Sequence, residues 1–265
     1  MHKKPPRELI FLLNEELWFP PPEEGRKDGF LAVGGDFRVE RLLLAYSKGI
    51  FPWPSSSGSL IPWFSPDPRF VLRPESTHLS RSLRKEMRKK RFEIRFDTDF
   101  ESVVRNCATV PRPRQRGTWM TSSLVEGMIK LHQEGYAHSA EAYLDGKLVG
   151  GLYGVSIGSY FSGESMFALE PNASKVAFVT LIAHFIRWGI GLVDCQVYTD
   201  HLARFGAYNM RRKEFLEELR IRVVHPTKLG PWQVEFQPDE ALMVWKENAK
   251  PLEKPLEEES ESDES

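Results

Sequence analysis

The sequence predicts an α+β fold with a small N-terminal domain ahead of a larger one, and three observations lead there. Proline and aromatic residues crowd the first part, in WFPPPEE (18–24), FPWP (51–54) and IPWFSPDPRF (61–70). The proline-rich stretch Pro62–Pro74 then reads as a join between domains. Beyond it, strand-like alternation and helical spacing succeed one another in a definite order. The expected boundaries are 1–66 for the small domain, 67–240 for the larger one and 241–265 for an acidic disordered tail.

In the small domain, Gly34-Gly35-Asp36 precedes a short helix over about 38–48, with Leu42, Leu43 and Tyr46 near one face and Gly49 as its stop. The turn lacks GxGxxG spacing, which argues against a dinucleotide loop. In LSRSLRKEMRKKRFEIRF (79–96), eight Lys or Arg stand against two Glu. Arg81, Arg84, Lys85 and Arg88 recur at three- and four-residue spacing and so share a helical face, with Leu83 and Met87 on another. Such a run is either a solvated face or a patch for RNA phosphates. The second half opens with strand-like HSAEAY (138–143), a turn at Asp145-Gly146, KLVGGLYGVSI, a turn at Gly158-Ser159 and YFSGESMF: an antiparallel three-strand meander. Asn172 or Ser174 can cap the next helix, which carries Phe178, Leu181, Ile182 and Phe185 at helical spacing and stops at Gly189. GLVDCQV then makes a short strand, and Asp200 can cap a helix leading into Arg204-Phe205-Gly206. Meander, helix, strand, helix is the order of a GNAT-like acyltransferase core.

Composition narrows the function classes. The longest uncharged apolar run, about Val176–Ala183, falls far short of the roughly 20 residues that span a bilayer. The N-terminal apolar run breaks at Asn14-Glu15-Glu16 with no small-residue cleavage site after it, so it reads as neither signal peptide nor anchor. Cys107 and Cys195 form no metal spacing and suit a reducing cytoplasm, and the seven histidines contain no HExxH. A metal is not expected. The net charge of −1 conceals an asymmetry: KPLEKPLEEESESDES at the C-terminus carries seven acids and two lysines, leaving the rest mildly basic. That tail reads as a solubilising segment or as a nucleic-acid mimic that competes for a basic face.

Chemistry concentrates on three polar residues. Side chains alternate along a strand, so Asp194 and Gln196 in LVDCQV share one face, and Glu164 stands on the last meander strand. Polar groups on otherwise apolar strands are costly unless hydrogen-bonded or used. The three either converge as a catalytic set, or form a satisfied core network or cap a helix. No [RQ]xxGx[GA] loop for acyl-CoA pyrophosphate is found; RQRGTW (114–119) begins correctly but ends in tryptophan. The acyl donor is therefore expected to be something other than acyl-CoA.

Taken in order, DGFLAVGGDFRVERLLLAYSKGIFPW, WFSPDPR, CATVPRPRQRGTWM, LHQEGYAHSAEAY, LVGGLYGV, GESMF, NASK and LVDCQV resemble the leucyl/phenylalanyl-tRNA–protein transferase family over roughly Trp18–Leu219. The resemblance implies a monomeric cytoplasmic enzyme without a cofactor. It would move Leu or Phe from aminoacyl-tRNA to the N-terminal amine of proteins beginning with Arg or Lys, marking them for N-end rule degradation. The alternatives are an aminoacyl-tRNA-dependent transferase with another amine acceptor and a catalytically silent tRNA-binding protein.

The resemblance also implies residue roles. Trp53 and Trp119 would stack on the 3′ adenosine of the tRNA. Leu152, Phe161, Phe178, Leu181, Phe185 and Val193 would wall the aminoacyl pocket, with Phe178 and Leu181 standing where a relative has Leu and Phe. Arg81, Arg84, Lys85, Arg88 and Lys89 would contact tRNA phosphates without reading sequence. The family's Asp-x-Gln pair has been proposed as a base relay; since a neutral amide is a very poor base, Asp194 and Gln196 are expected to orient the nucleophile and the tetrahedral intermediate. Glu164 is expected to hold the donor's charged amino group. Met128 occupies a position where the family commonly has tyrosine, and Ala140 and Tyr143 replace the usual Val and Trp.

Overall fold

A computed structural model describes residues 10–54, 60–110 and 120–251. The chain forms a mixed four-stranded sheet and then a mixed seven-stranded sheet. In the first, β1 (Phe11–Leu13) runs parallel to β2 (Phe30–Gly34), and β4 (Pro62–Phe64) joins β2 antiparallel to β3 (Phe51–Pro52). Helix α1 (Val39–Ser47) lies between β2 and β3 and matches the helix expected from its apolar spacing. Buried Trp63 fixes this layer, packing edge-on to Phe19 and donating from Nε1 to the Gly34 carbonyl at 2.8 Å.

The larger sheet comprises β5 (Arg69–Leu72), β6 (Glu93–Phe96), β7 (Ala137–Leu144), β8 (Lys147–Ile157), β9 (Tyr160–Ala168), β10 (Leu192–Gln196) and β11 (Tyr208–Met210), ordered β11-β5-β10-β9-β8-β7-β6. The predicted meander is β7-β8-β9, antiparallel throughout, with turns at Asp145-Gly146 and Gly158-Ser159. Strand β10 then returns parallel to β9 and pairs Asp194 with Ser162. Gly154 permits a close approach in the meander: a Cβ there would lie 2.2 Å from the Ser162 carbonyl and 2.4 Å from the Phe161 ring.

The remaining helices are α2 (Arg81–Arg88), α3 (Phe100–Thr109), α4 (Ser122–Gln133), α5 (Ala173–Trp188), α6 (Asp200–Ala203), α7 (Arg212–Arg222) and α8 (Pro238–Asn248). Every residue from Val176 to Phe185 is buried, so α5 is an enclosed helix rather than one with a single apolar stripe. It packs with α2 and α8 on one face of the large sheet, while α3, α4 and the small sheet share a second core on the other. Asn172 begins α5 through a left-handed backbone (φ 70°) without a side-chain cap, and α6 is capped by Thr199 rather than Asp200. Helix α8 crosses the boundary expected at 240, with Ala241 and Leu242 buried in the α5 core. The chain after residue 251, which carries most of the acidic tail, lies outside the described residues. Among the described residues, no helix is long and apolar enough to cross a membrane.

Candidate functional site

Strand β9 carries Tyr160 and Ser162 beside Asp194 of β10, and an irregularity in each strand, at Glu164 in β9 and between Asp194 and Gln196 in β10, sets the positions of Glu164 and Gln196. Gln196 Nε2 donates to Glu164 Oε1 at 2.7 Å and to Ser162 Oγ at 3.3 Å. Because that amide nitrogen faces a carboxylate, the opposite group of the amide is its carbonyl oxygen, to which nothing donates among the described residues. Ser162 Oγ donates to the same Glu164 Oε1 at 3.3 Å, whereas Glu164 Oε2 is buried and makes no well-formed hydrogen bond. The buried Tyr46 hydroxyl of α1 faces this carboxyl.

Glu164 is 9% exposed. Burial raises its pKa from the usual carboxylate range to about 7, with the Asp194 charge adding to the rise and Tyr46, Gln196 and Ser162 opposing it. Burial, followed by the nearby Glu164 charge, pushes the Tyr46 phenol well above its ordinary value, so it remains a hydroxyl. Glu164 therefore changes charge near neutrality inside a polar cage.

Asp194 is placed differently from expectation. It is fully buried: Oδ1 accepts from Arg69 Nε at 2.7 Å and from the Gln196 backbone N–H at 2.8 Å, while Oδ2 accepts from Arg69 Nη2 at 2.6 Å and from Tyr160 Oη at 2.5 Å. With both oxygens engaged in this way, Asp194 does not face the cavity beside Glu164 and does not meet a nucleophile directly. It lies on β10, and the long-range partners Arg69 and Tyr160 decide what its carboxylate does. Gln196 turns away at φ 64°, where the pairing of β10 with β5 shifts register. That left-handed conformation costs a non-glycine residue on the order of 1–2 kcal/mol unless neighbours hold it.

The cavity encloses about 610 Å³ and is lined on one side by Phe51, Pro52 and Trp53 and on the other by Glu164 and Gln196. Met166, Cys195 and Leu202 supply apolar wall, and Ser174, Thr199 and His201 add polar groups. Trp53, 40% exposed, contacts Phe64 edge-on and leaves indole surface open at the cavity. Trp119 lies outside the described residues, although Val110, just before that segment, also lines the cavity. Burial pushes the Cys195 thiol far up, so it offers no thiolate nucleophile. Burial and the cations Lys175 and Arg204 push His201 down and favour its neutral imidazole.

Leu152, Phe161, Phe178, Leu181, Phe185 and Val193 do converge, but as solid packing: Phe161 meets Phe185 at 4.8 Å and Phe178 meets Phe205 at 5.0 Å. None of the six lines the open cavity, contrary to expectation. They back it instead, because Met166, Cys195 and Leu202 belong to both the cavity wall and that core. Arg81, Arg84, Lys85 and Arg88 lie along α2 and form no ion pair among the described residues. Lys89 caps that helix and pairs with Glu86 at 2.7 Å. Met128 is fully buried in the second core, where its thioether fills space and touches no surface.

The sequence assigns none of Arg69, Tyr160, Ser162 and Tyr46 to the site; Tyr46 is read there only as part of the apolar face of α1. The two-residue period from Glu164 reaches Ser162 and Tyr160, but nothing local couples Arg69 to Asp194, 125 positions away. Among the described residues, no group of three or more His, Cys, Asp or Glu side chains is arranged to hold a metal.

Comparison with known proteins agrees with the chain-long resemblance. A family model described as "Leucyl/phenylalanyl-tRNA protein transferase" matches residues 71–220, and one described as the N-terminal domain of that transferase matches 35–67. A Myxococcus xanthus protein named leucyl/phenylalanyl-tRNA–protein transferase is 56% identical over 225 residues, covering 84% of this chain and 96% of its own length. An Anaeromyxobacter protein of the same name is 49% identical over 226 residues, covering 85% and 96%. Among solved structures, L-PGS from Bacillus licheniformis aligns with 82% of this chain and 72% of its own at 11% identity and a TM-score of 0.36, too weak a likeness to carry weight. The extent and identity of the sequence matches show that the chain belongs to the leucyl/phenylalanyl-tRNA–protein transferase family.

Proposed function

We propose that the protein transfers Leu or Phe from aminoacyl-tRNA to the N-terminal α-amine of proteins beginning with Arg or Lys, marking them for N-end rule degradation. Family membership supports the reaction class, and the observation that carries the site is the buried Glu164 carboxyl, held by Gln196 and lining a cavity that Trp53 walls on the other side. The order meander, α5, β10, α6 supports a GNAT-like reading of the domain from about residue 67. A monomer acting in the cytoplasm completes the reading.

In this reading, the terminal adenine stacks on Trp53, with Trp119 as a second platform, each stack contributing roughly 1–3 kcal/mol. The donor's side chain enters against Met166, Cys195 and Leu202 and presses on the core that contains Phe161 and Phe178. Ionised Glu164 holds the donor's ammonium group. The acceptor amine arrives as a free base, which an α-amine with pKa about 7.7–8.0 supplies in useful fraction near neutrality. Its nitrogen bonds to the ester carbonyl carbon, the carbon–oxygen bond to the ribose breaks, and the amine proton ends on the released ribose hydroxyl. The Gln196 carbonyl accepts an N–H of the incoming amine and fixes its approach. Arg81, Arg84, Lys85, Arg88 and Lys89 take tRNA phosphates.

Purified protein mixed with radiolabelled Leu-tRNA or Phe-tRNA and peptides starting with Arg, Lys, Asp or Ala tests the proposal, with acetyl-CoA as a control donor. Label is expected on Arg- and Lys-starting peptides from both tRNAs and none from acetyl-CoA. Label on Asp-starting peptides would mean a different acceptor class. Tight tRNA binding without transfer would mean a silent binder.

A further inference from the structure

Arg69 is buried beside the site and takes no part in the reaction described above. Its guanidinium forks onto both oxygens of Asp194, and Nη1 donates to the Gly49 carbonyl at 3.0 Å. The same group lies between two aromatic rings, 4.8 Å from the Phe51 centroid and 4.7 Å from that of Phe215. Phe51 lines the cavity and begins the Phe51-Pro52-Trp53 wall. Asp194, in turn, accepts the backbone N–H of Gln196 and so holds the left-handed turn that aims the Gln196 amide at Glu164. A continuous chain of contacts therefore runs from the cavity wall at Phe51, through Arg69 and Asp194, to Gln196.

We infer that Arg69 is a positioning residue: with Asp194 it forms a buried brace that registers the Gln196–Glu164 pair against the Phe51–Trp53 wall. The inference rests on the transfer reaction proposed above and assigns Asp194 no proton-carrying role. A lysine cannot replace Arg69, because it lacks both the planar fork and the flat surface that fits between two rings. Both members of the brace act through one link, the Gln196 turn, so their removal is not additive.

The test uses full-length Arg69→Lys, Asp194→Asn, the double variant and Tyr160→Phe. The last is the mildest, deleting one hydroxyl from Asp194 Oδ2. Steady-state transfer to an Arg-starting peptide is measured across pH, and crystal structures of the variants report the Gln196 turn. Arg69→Lys and Asp194→Asn are each expected to lower kcat on the order of 100-fold, the scale of a small misplacement of reacting groups. KM for Leu-tRNA should stay within roughly threefold. The pH profile of kcat should keep its shape in Arg69→Lys and Tyr160→Phe, which leave the Asp194 charge in place, and should move to lower pH in Asp194→Asn, because that charge helps raise the Glu164 pKa. The double variant should fall no further than the worse single one, and Tyr160→Phe should show a smaller loss of the same kind. In the crystals, the Gln196 amide should leave Glu164. Full kcat in folded Arg69→Lys, losses that multiply in the double variant, or an unmoved Gln196 would each overturn the brace. Should the buried-pair variants fail to fold, Tyr160→Phe decides: wild-type kcat together with unchanged Gln196 geometry overturns it. If the wild-type protein transfers neither Leu nor Phe, the functional proposal fails, while the crystallographic position of Gln196 still decides the brace.

Discussion

Glu164 sits in an environment that opposes its own charge. Its folded-state pKa of about 7, against 4.5 for the ordinary side chain, means that the native protein holds a proton there which the unfolded chain has released. The contribution of a raised carboxylate to stability is full below the unfolded pKa and is lost as pH rises through about 7. The difference amounts to about 3 kcal/mol as an order of magnitude. Glu164→Gln keeps an acceptor for Gln196 and removes the charge, so unfolding by denaturant should show the variant more stable than wild type at pH 8 and nearly equal to it at pH 5. Donor use should move the opposite way. Wild-type affinity for Leu-tRNA should strengthen as pH rises from 6 to 7, below the range in which the donor's own ammonium deprotonates, while that of Glu164→Gln should be weak and flat over the same interval. A variant with unchanged affinity at limiting aminoacyl-tRNA would sink the proposed role. An opposing pair of effects of this kind is expected where a site keeps a group for chemistry at a cost to folding.

At the scale of elements, α2 separates its two faces cleanly. Leu83 and Met87 enter the core against α5 and α8, and Arg81, Lys85 and Arg88 remain at the surface. Ser80 caps the helix by accepting from the Leu83 N–H at 3.2 Å, and Lys85 and Arg88 lie in its last turn, where the helix dipole favours cations. These features keep a short helix in place under four clustered positive charges. Replacing Arg81, Arg84 and Arg88 with Gln should weaken tRNA binding similarly for Leu-tRNA and Phe-tRNA. It should also make the dependence of log K on log salt shallower by about 2–3 if each cation meets one phosphate. Filter binding between 50 and 200 mM salt, the range over which such contacts show, measures this. An unchanged slope would mean that the face is merely solvated.

For the whole molecule, the question is what keeps the small sheet against the large one. Besides the shared core of Trp63, Leu42, Val103 and Val155, Arg212 at the start of α7 acts as a staple. Its guanidinium donates to the carbonyls of Ser65 at 2.7 Å, Gly25 at 3.1 Å and Glu23 at 3.2 Å, while its backbone N–H donates to Asp67 at 3.0 Å. Arg212→Leu strands these carbonyls and should cost on the order of 2–4 kcal/mol, a few charge-assisted hydrogen bonds' worth. Denaturant unfolding gives that number. Because Trp53 and Glu164 reach the cavity from opposite sides of this junction, KM for aminoacyl-tRNA should rise as well.

The sequence alone determined the meander, its turns and the extent of α5, because periodicity and turn chemistry are local properties of the chain. The same period identifies Ser162 and Tyr160 as neighbours of Glu164. Family resemblance supplied the reaction, since it depends on many motifs in order rather than on any one contact. Tertiary structure alone decided that Asp194 is enclosed by Arg69 and Tyr160, that the six apolar residues back the cavity without lining it, and that α8 belongs to the core. Each of these depends on which distant segments meet. Arg69 and Asp194 are 125 residues apart and share no pattern, so only the pairing of β5 with β10 brings fork and carboxylate together. Apolar side chains at helical spacing look the same whether they line a space or fill one; the packing of α5 against β7, β8 and β9 is what filled it.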